Sequence, residues 1–176
     1  MQSDEIDRRN VVDKYKGMSV EAIKADLDAN RQPLEIAIEN LERDFNMGTI
    51  IRNANAFNIA KVHIVGRRQW NKRGAMATDH YMTIEYHPTV AAFQMAVNDK
   101  RIIGVDNIDG SVSMHGFSLP KNCVMVFGSE GSGLSNEMIN VCESLVAIEQ
   151  FGSTRSVNVG VASGIAMYLW LQQHML

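Results

Sequence analysis

The 176 residues contain little that would make a disulfide framework, a metal cluster or a membrane protein. There are only two cysteines, Cys123 and Cys142, and no C-x-x-C. The five histidines, His63, His80, His87, His115 and His174, show no ligand spacing, so no metal is expected and they are assigned no role. Reduced, buried thiols in a cytoplasmic protein are the expectation. The opening "MQSDEIDRRN" is charged throughout and lacks the pattern of a signal peptide. The longest apolar run, "VNVGVASGIAMYLWL", is interrupted by Asn158 and Ser163 and is too short to span a bilayer. Neither sign of charge dominates. With 17 basic against 20 acidic residues the net charge is -3, so any nucleic-acid surface must be a local basic patch. Internal repeats and low-complexity segments are missing too.

One absence is more pointed. "VMVFGSEGSGLS", residues 124 to 135, runs from an apolar strand through a Gly-rich turn into a helix start. Gly128, Gly133 and Ser135 have the spacing of a phosphate-binding loop, but Leu134 stands where that loop needs lysine. Glu130 inside the turn would repel phosphate further. The turn therefore offers glycines and backbone amides to something other than a polyphosphate.

Hydrophobic residues make up 45% of the chain, enough for one domain with a sizeable core. Residues 1–33 are polar and charge-rich, with a helical pattern in "SVEAIKADLDAN" capped by Ser19, and read as an appendage. From residue 34 to 176, β-like runs ("LEIAIEN", "KVHIVG", "RIIGVDN", "CVMVFG", "LVAIEQ") alternate with helical stretches near 46–58, 89–99, 133–143 and 156–174. That alternation predicts an α/β fold, a mostly parallel sheet with helices on both faces. Ligands of such sheets bind beyond the C-terminal ends of the strands.

Four constellations gather at those ends. In "NLERDFNMGTIIRNANAF", Asn46 is placed to cap a helix with Met47, Ile50, Ile51, Ala54 and Phe57 on one stripe. Arg52 points roughly opposite that stripe. Taken alone it is a solvated arginine. Gly48 in the first turn costs about 1 kcal/mol against alanine, which implies close backbone approach. The Gly-rich turn is the second constellation. In the third, "FGSTRSVNVGVASG", Ser156 is read as the N-cap of the last helix, with Asn158 just inside it and buried. The fourth is "KVHIVGRRQWNKRG", where Arg67, Arg68, Lys72 and Arg73 surround Trp70 with no acidic residue among them. Such a run is usually a solvated face, but an aromatic among arginines moves the reading toward RNA.

In this order and spacing the segments resemble the SpoU (TrmH) branch of the SPOUT RNA 2′-O-ribose methyltransferases, over residues 34 to 174. Asn46, Gly48, Arg52, Ala56 and Phe57 match its first motif, "FGSEGSGLS" its second, and "SVNV" at Ser156 to Val159 its third. The resemblance implies a C-terminal trefoil knot, S-adenosylmethionine as cofactor, and methyl transfer to a ribose 2′-hydroxyl of tRNA or rRNA. It implies a catalytic role for Arg52 beside Asn46, Glu130, Ser156 and Asn158. Gly128, Ile148 and Val157 correspond to positions that hold the cofactor's adenosine. Val105, at the end of "RIIGVDN", is assigned to the same pocket by its place on the sheet. A homodimer follows from the family and from a last helix too apolar to face water. Departures lie around the cofactor loop. Ile148 is followed by Glu149, Gln150 and Phe151 in place of the usual Pro-Met; Val157 replaces leucine, Gly160 a common serine, and Asn58 a glycine. An inactive RNA-binding module of the same fold is the alternative that these departures favour. A nucleotide-binding switch protein is a third, disfavoured by the missing lysine.

Overall fold

The computed structural model describes residues 10–40, 46–129 and 131–176. Among them seven strands form one sheet: β1 (Gln32–Asn40), β2 (Ile59–Gly66), β3 (Ile84–His87), β4 (Arg101–Val105), β5 (Val112–Ser113), β6 (Cys123–Phe127) and β7 (Ser144–Ala147). Their order is β3-β2-β1-β6-β4-β7-β5, and every neighbouring pair is parallel. The helices are α1 (Val20–Asp28), α2 (Met47–Ala56), α3 (Val90–Ala96), α4 (Asn136–Val141) and α5 (Val159–His174).

Strands covered on both faces read as unbroken apolar runs, and all five residues of β6 are buried. Alternate side chains part to opposite faces. Ile36, Ile38, Ile64, Met125 and Phe127 meet Ile50, Ile51 and Ala54 of α2 and Ala166, Met167 and Trp170 of α5. Ala37, Val65, Val124 and Val126 meet Phe93 of α3 and Met138 of α4. Each such side chain fully buried stabilises the fold by about 1.5–3 kcal/mol before entropy is counted. Trp170 is fully buried, and its indole N–H donates to Pro120 O at 3.0 Å, fastening α5 to the segment between β5 and β6.

The two strands that the sequence did not announce, β3 and β5, are short and lie at the sheet edges. Helices α4 and α5 each begin three residues later than expected. Gly133, at φ +67°, is left-handed and cannot open a helix; Ser135 instead caps α4 by accepting from Met138 N at 3.1 Å.

The N-terminal helix docks on this body. Ser19 Oγ caps α1 by accepting from Ala22 N at 3.2 Å, and Ile23 is buried. Asn58, at the end of α2, has φ +50°, a conformation asparagine tolerates better than most residues. Its Nδ2 donates to Leu27 O and Asn30 O at 3.2 and 2.9 Å, while its Oδ1 accepts from Arg31 Nη1 at 3.0 Å. A glycine there would allow the turn but not these bonds.

Candidate active site

Strands β6, β4 and β7 are neighbours and parallel, so their C-terminal ends deliver three loops to one edge. The loop after β6 is tightly closed. Ser129 and Gly133 exchange backbone hydrogen bonds at 3.2 and 2.9 Å. A Cβ on Gly128 would lie 2.1 Å from the Gly133 carbonyl carbon, so only glycine fits. Asp106, just past β4, accepts from Leu134 N at 2.9 Å and Asn107 N at 2.8 Å. Glu39, buried at the end of β1, accepts from Ser135 N at 2.8 Å.

These bonds explain the missing lysine. The amides of Gly133, Leu134 and Ser135, which a phosphate loop would turn toward its ligand, are already taken by Ser129 O, Asp106 and Glu39. Leu134 itself is buried in the core, its Cδ1 3.0 Å from where a Cβ on Gly104 would sit. A carboxylate fills the cradle that would have held a polyphosphate.

The three loops and the start of α5 enclose a cavity of about 370 Å³. All four residues assigned to the cofactor, Val105, Gly128, Ile148 and Val157, line it, as do Ser156 and Asn158. Asp106, Asn107, Gln150 and Arg155 line it as well, and residue spacing did not single them out. Asn107 Nδ2 donates to Arg155 O at 3.2 Å, joining the first loop to the third.

The third loop differs from expectation in two respects. Asn158, not Ser156, is the N-cap of α5; its Oδ1 accepts from Gly160 N and Val161 N at 2.9 and 3.3 Å. It is also exposed rather than buried, because the chain leaves the core before the helix begins. Asn158 Nδ2 donates to Asn46 Oδ1 at 3.0 Å. Asn46 in turn makes no side-chain cap for α2, being already in helical conformation. Behind this pair the two helices cross closely. Asn53 Nδ2 donates to Gly160 O and Ser163 Oγ at 2.9 and 3.1 Å. A Cβ on Gly160 would come within 2.9 Å of Thr49 Cγ2, which accounts for glycine there.

Arg52 projects exposed from α2 and does not line the cavity; among the described residues it forms no hydrogen bond or ion pair. Its helix is nonetheless held to the cavity loop through Asn46. Glu130 lies outside the described residues.

Gly48 does mark close approach, to the basic segment itself. A Cβ there would lie 2.6 Å from Ala75 N. Arg67, Arg68, Lys72 and Arg73 are all exposed on that segment, beside the start of α2. Their charge is partly committed, since Lys72 holds Asp79 at 2.8 Å and Arg68 lies over the Tyr86 ring at 4.7 Å. Trp70 is packed against the core with Lys72 over its ring, so it is not the free stacking platform that its setting in sequence implied.

Two histidines with no ligand spacing are brought together by the sheet. His63 on β2 has Nε2 2.8 Å from Glu35 Oε2 on β1 and Nδ1 2.9 Å from His87 Nε2 on β3. Glu85 joins them, with ligand atoms of His63, Glu85 and His87 within 4.8 Å of one another. Lys61 pairs with Glu85 at 2.7 Å and Lys100 with Glu35 at 3.5 Å. The two carboxylates are thus balanced and both His63 nitrogens are bonded, so a divalent cation would bring uncompensated charge into a buried group. The cluster reads as a polar strut across three strands. Burial first, then the nearby His63, holds the His87 pKa below its usual value. Burial alone would raise Glu35; the His63 hydrogen bond and the charges of His63, Lys100 and Lys61 outweigh it and hold the carboxyl low. Both thiols are free, and burial pushes Cys123 and Cys142 up to about 12, which leaves them unreactive.

A profile of the SpoU rRNA Methylase family matches residues 33–168. The chain belongs to this family. The tRNA (guanosine(18)-2′-O)-methyltransferase of Escherichia coli K12 is 25% identical over 146 residues, 80% of this chain. The chain spans 64% of that relative's length. Among solved structures, the A. aeolicus TrmH/SpoU tRNA modifying enzyme superposes with a TM-score of 0.76 at 21% identity, covering 88% of this chain and 81% of that one. The AdoMet-bound rRNA methyltransferase from Sinorhizobium meliloti gives 0.72 at 23%, covering 85% and 60%. At these identities the structures establish a shared fold. The family's first and third motifs are the ones that Asn46 and Asn158 hold together.

Proposed function

We propose that the protein is a methyltransferase that uses S-adenosylmethionine to methylate a ribose 2′-hydroxyl of tRNA or rRNA. The observation that carries this reading is the cavity. Three strand-end loops close around about 370 Å³, within the range of about 300–1,000 Å³ typical of small-ligand sites, and their amides are turned away from phosphate. Val105 and Ile148 give apolar walls for a flat base, and Asn107 and Gln150 add polar groups. The AdoMet bound by the S. meliloti relative is a ligand of this kind, with a neutral adenosine and no phosphate.

When held in this cavity, S-adenosylmethionine would supply an electrophilic methyl group for the ribose oxygen, with its sulfur as leaving group. The protein's part is to hold the hydroxyl at near-attack distance and accept its proton. Arg52 stands exposed on α2, next to the basic segment and one contact from the cavity loop. A guanidinium is a poor proton acceptor and a good phosphate clamp. We assign Arg52 to gripping the phosphate beside the reacting ribose, with that phosphate or water taking the proton. Asn46, Ser156, Asn158 and Glu130 complete the set by their family positions, and Val105, Gly128, Ile148 and Val157 hold the adenosine. Arg67, Arg68, Lys72 and Arg73 are the proposed contacts to the rest of the RNA.

The same reading covers the assembly. Val161, Ile165 and Tyr168 leave an apolar stripe exposed on α5, with Phe57 beside Tyr168 at 6.4 Å between ring centres; a second copy of the chain is the proposed cover. Residues 34–176 would form the catalytic domain, with 1–33 an appendage, of which α1 packs on that domain through Ile23 and Gln32 and Pro33 already belong to β1. The knot that the family implies agrees with β7 lying between β4 and β5, inside the excursion the chain makes from β4 to β6. No helix among the described residues is long and apolar enough to cross a membrane; the cytoplasm, where RNA is met, is the proposed compartment.

The test is transfer of labelled methyl from S-adenosylmethionine to RNA from cells lacking this activity, with Arg52→Ala as control. Label in a 2′-O-methylnucleoside, lost at least 100-fold in the variant while cofactor binding persists, supports the reading. Absence of cofactor binding in the unaltered protein would favour the inactive module.

A further inference from the structure

Trp70 packs against the core, yet another ring stands exposed beside the basic segment. Three large aromatic side chains are exposed among the described residues: Tyr86, Phe151 and Tyr168. Tyr168 belongs to the α5 stripe and Phe151 to the loop after β7, which leaves Tyr86 on the edge strand β3. The Arg68 guanidinium lies over the Tyr86 ring at 4.7 Å, and it has no carboxylate partner among the described residues.

Both members of this pair are held from behind. Tyr86 lies opposite Ile64 of β2, and Ile64 belongs to the core on the α2 side of the sheet. Alternation sends Glu85 and His87 to the other side, where His87 is bonded to His63. The buried strut thus pins the strand, and the Tyr86 ring emerges on the side that carries α2 and Arg52. Arg68 is fixed through its neighbours. Asn40, buried at the end of β1, donates through Nδ2 to Arg67 O and, at 3.1 Å, to Gln69 O, while Arg67 N donates to Asn40 O at 3.0 Å. The backbone on either side of Arg68 is therefore set before any ligand arrives.

An exposed ring with a guanidinium beside it, among Arg67, Lys72 and Arg73, complements a nucleotide. The ring offers a face to a flat base and the guanidinium binds an anion. In a duplex the base faces are covered by their stacked neighbours, so only an unpaired nucleotide can use the ring. We propose that Tyr86 and Arg68 hold an unpaired nucleotide of the RNA outside the cavity, its base stacked on the Tyr86 ring and its phosphate on Arg68. This rests on RNA being the substrate, and it adds to the basic segment a base-binding side chain from a different strand.

The test is fluorescence anisotropy of the full chain with two labelled probes, a mixed-sequence single-stranded RNA of about 12 nucleotides and a ribose-phosphate strand of equal length without bases. The unaltered protein is expected to prefer the RNA by about tenfold. Tyr86→Leu should weaken RNA binding about tenfold and abasic binding less than about twofold, while Tyr86→Phe keeps the preference. Arg68→Ala should weaken both probes and reduce the slope of log affinity against log salt by about 0.7, the loss of one phosphate contact. Equal binding of the two probes by the unaltered protein overturns the proposal without needing any variant. So does a Tyr86→Leu variant that folds and keeps the preference, or an Arg68→Ala variant with an unchanged salt slope. Binding of bulk tRNA or rRNA without binding of the short RNA also overturns it. Each of these results leaves the methyltransferase reading standing, whereas binding of none of the RNAs removes that reading and the proposal with it.

Discussion

Asn158 does two things with one side chain: its oxygen caps α5 and its nitrogen reaches Asn46 Oδ1 at 3.0 Å, 112 residues earlier in the chain. The start of the helix that carries Arg52 and the last loop of the cavity are thereby set in register. Asn158→Ala should cost about 1 kcal/mol of stability from the lost cap. It should also lower turnover more than Asn46→Ala does, because only the former releases both helices. Urea unfolding and single-turnover methylation would check this. Equal effects of the two variants would show that the cap has no part in positioning.

Gly128→Ala puts a methyl group where the Gly133 carbonyl carbon stands, at 2.1 Å, and the neighbour is backbone that cannot swing aside. The Ser129–Gly133 pairing must open, at a cost of about 1–3 kcal/mol. Cofactor affinity should fall at least tenfold, read by calorimetry, with the rest of the fold retained by circular dichroism.

Asn58→Gly keeps the left-handed turn and removes the bonds to Leu27, Asn30 and Arg31. A loss of about 1–3 kcal/mol is expected, together with faster proteolysis within residues 10–31. Unchanged stability would mean that the α1 segment docks without contributing.

The buried strut sets a pH dependence. His87 has its folded pKa below the unfolded value of about 6.5, so its contribution is full above that value and is lost as pH falls through the folded one. Glu35, also held low, behaves in the same way further into acid. Stability should be flat above about pH 7 and decline below it, by no more than about 1.4 kcal/mol per pH unit for one proton. Urea midpoints at pH 8, 7, 6 and 5 would test this, and His87→Gln should flatten the upper part of the decline. The groups facing His87 and His63, besides each other, are Glu35, Glu85, Lys61, Lys100 and the Phe93 ring.

Much of the architecture was legible in the residue order. Unbroken apolar runs such as Cys123–Phe127, alternating with helical stripes such as Met47–Ala54, require a parallel sheet covered on both faces, because nothing else buries both patterns. Gly48 announced a close backbone contact, since the first turn of a helix rarely tolerates glycine otherwise. The three motifs and the cavity-lining positions Val105, Gly128, Ile148 and Val157 were also readable in the sequence. Tertiary structure decided the rest, wherever partners are distant along the chain. Asp106 occupies the would-be phosphate cradle only because β4 lies beside β6. His63 and His87 meet only because β2 pairs with β3 in that register. Asn158 caps a helix and holds Asn46 only because α5 crosses α2. Spacing along one segment reports what local geometry allows; which strand ends become neighbours is settled by how the whole chain buries its apolar surface.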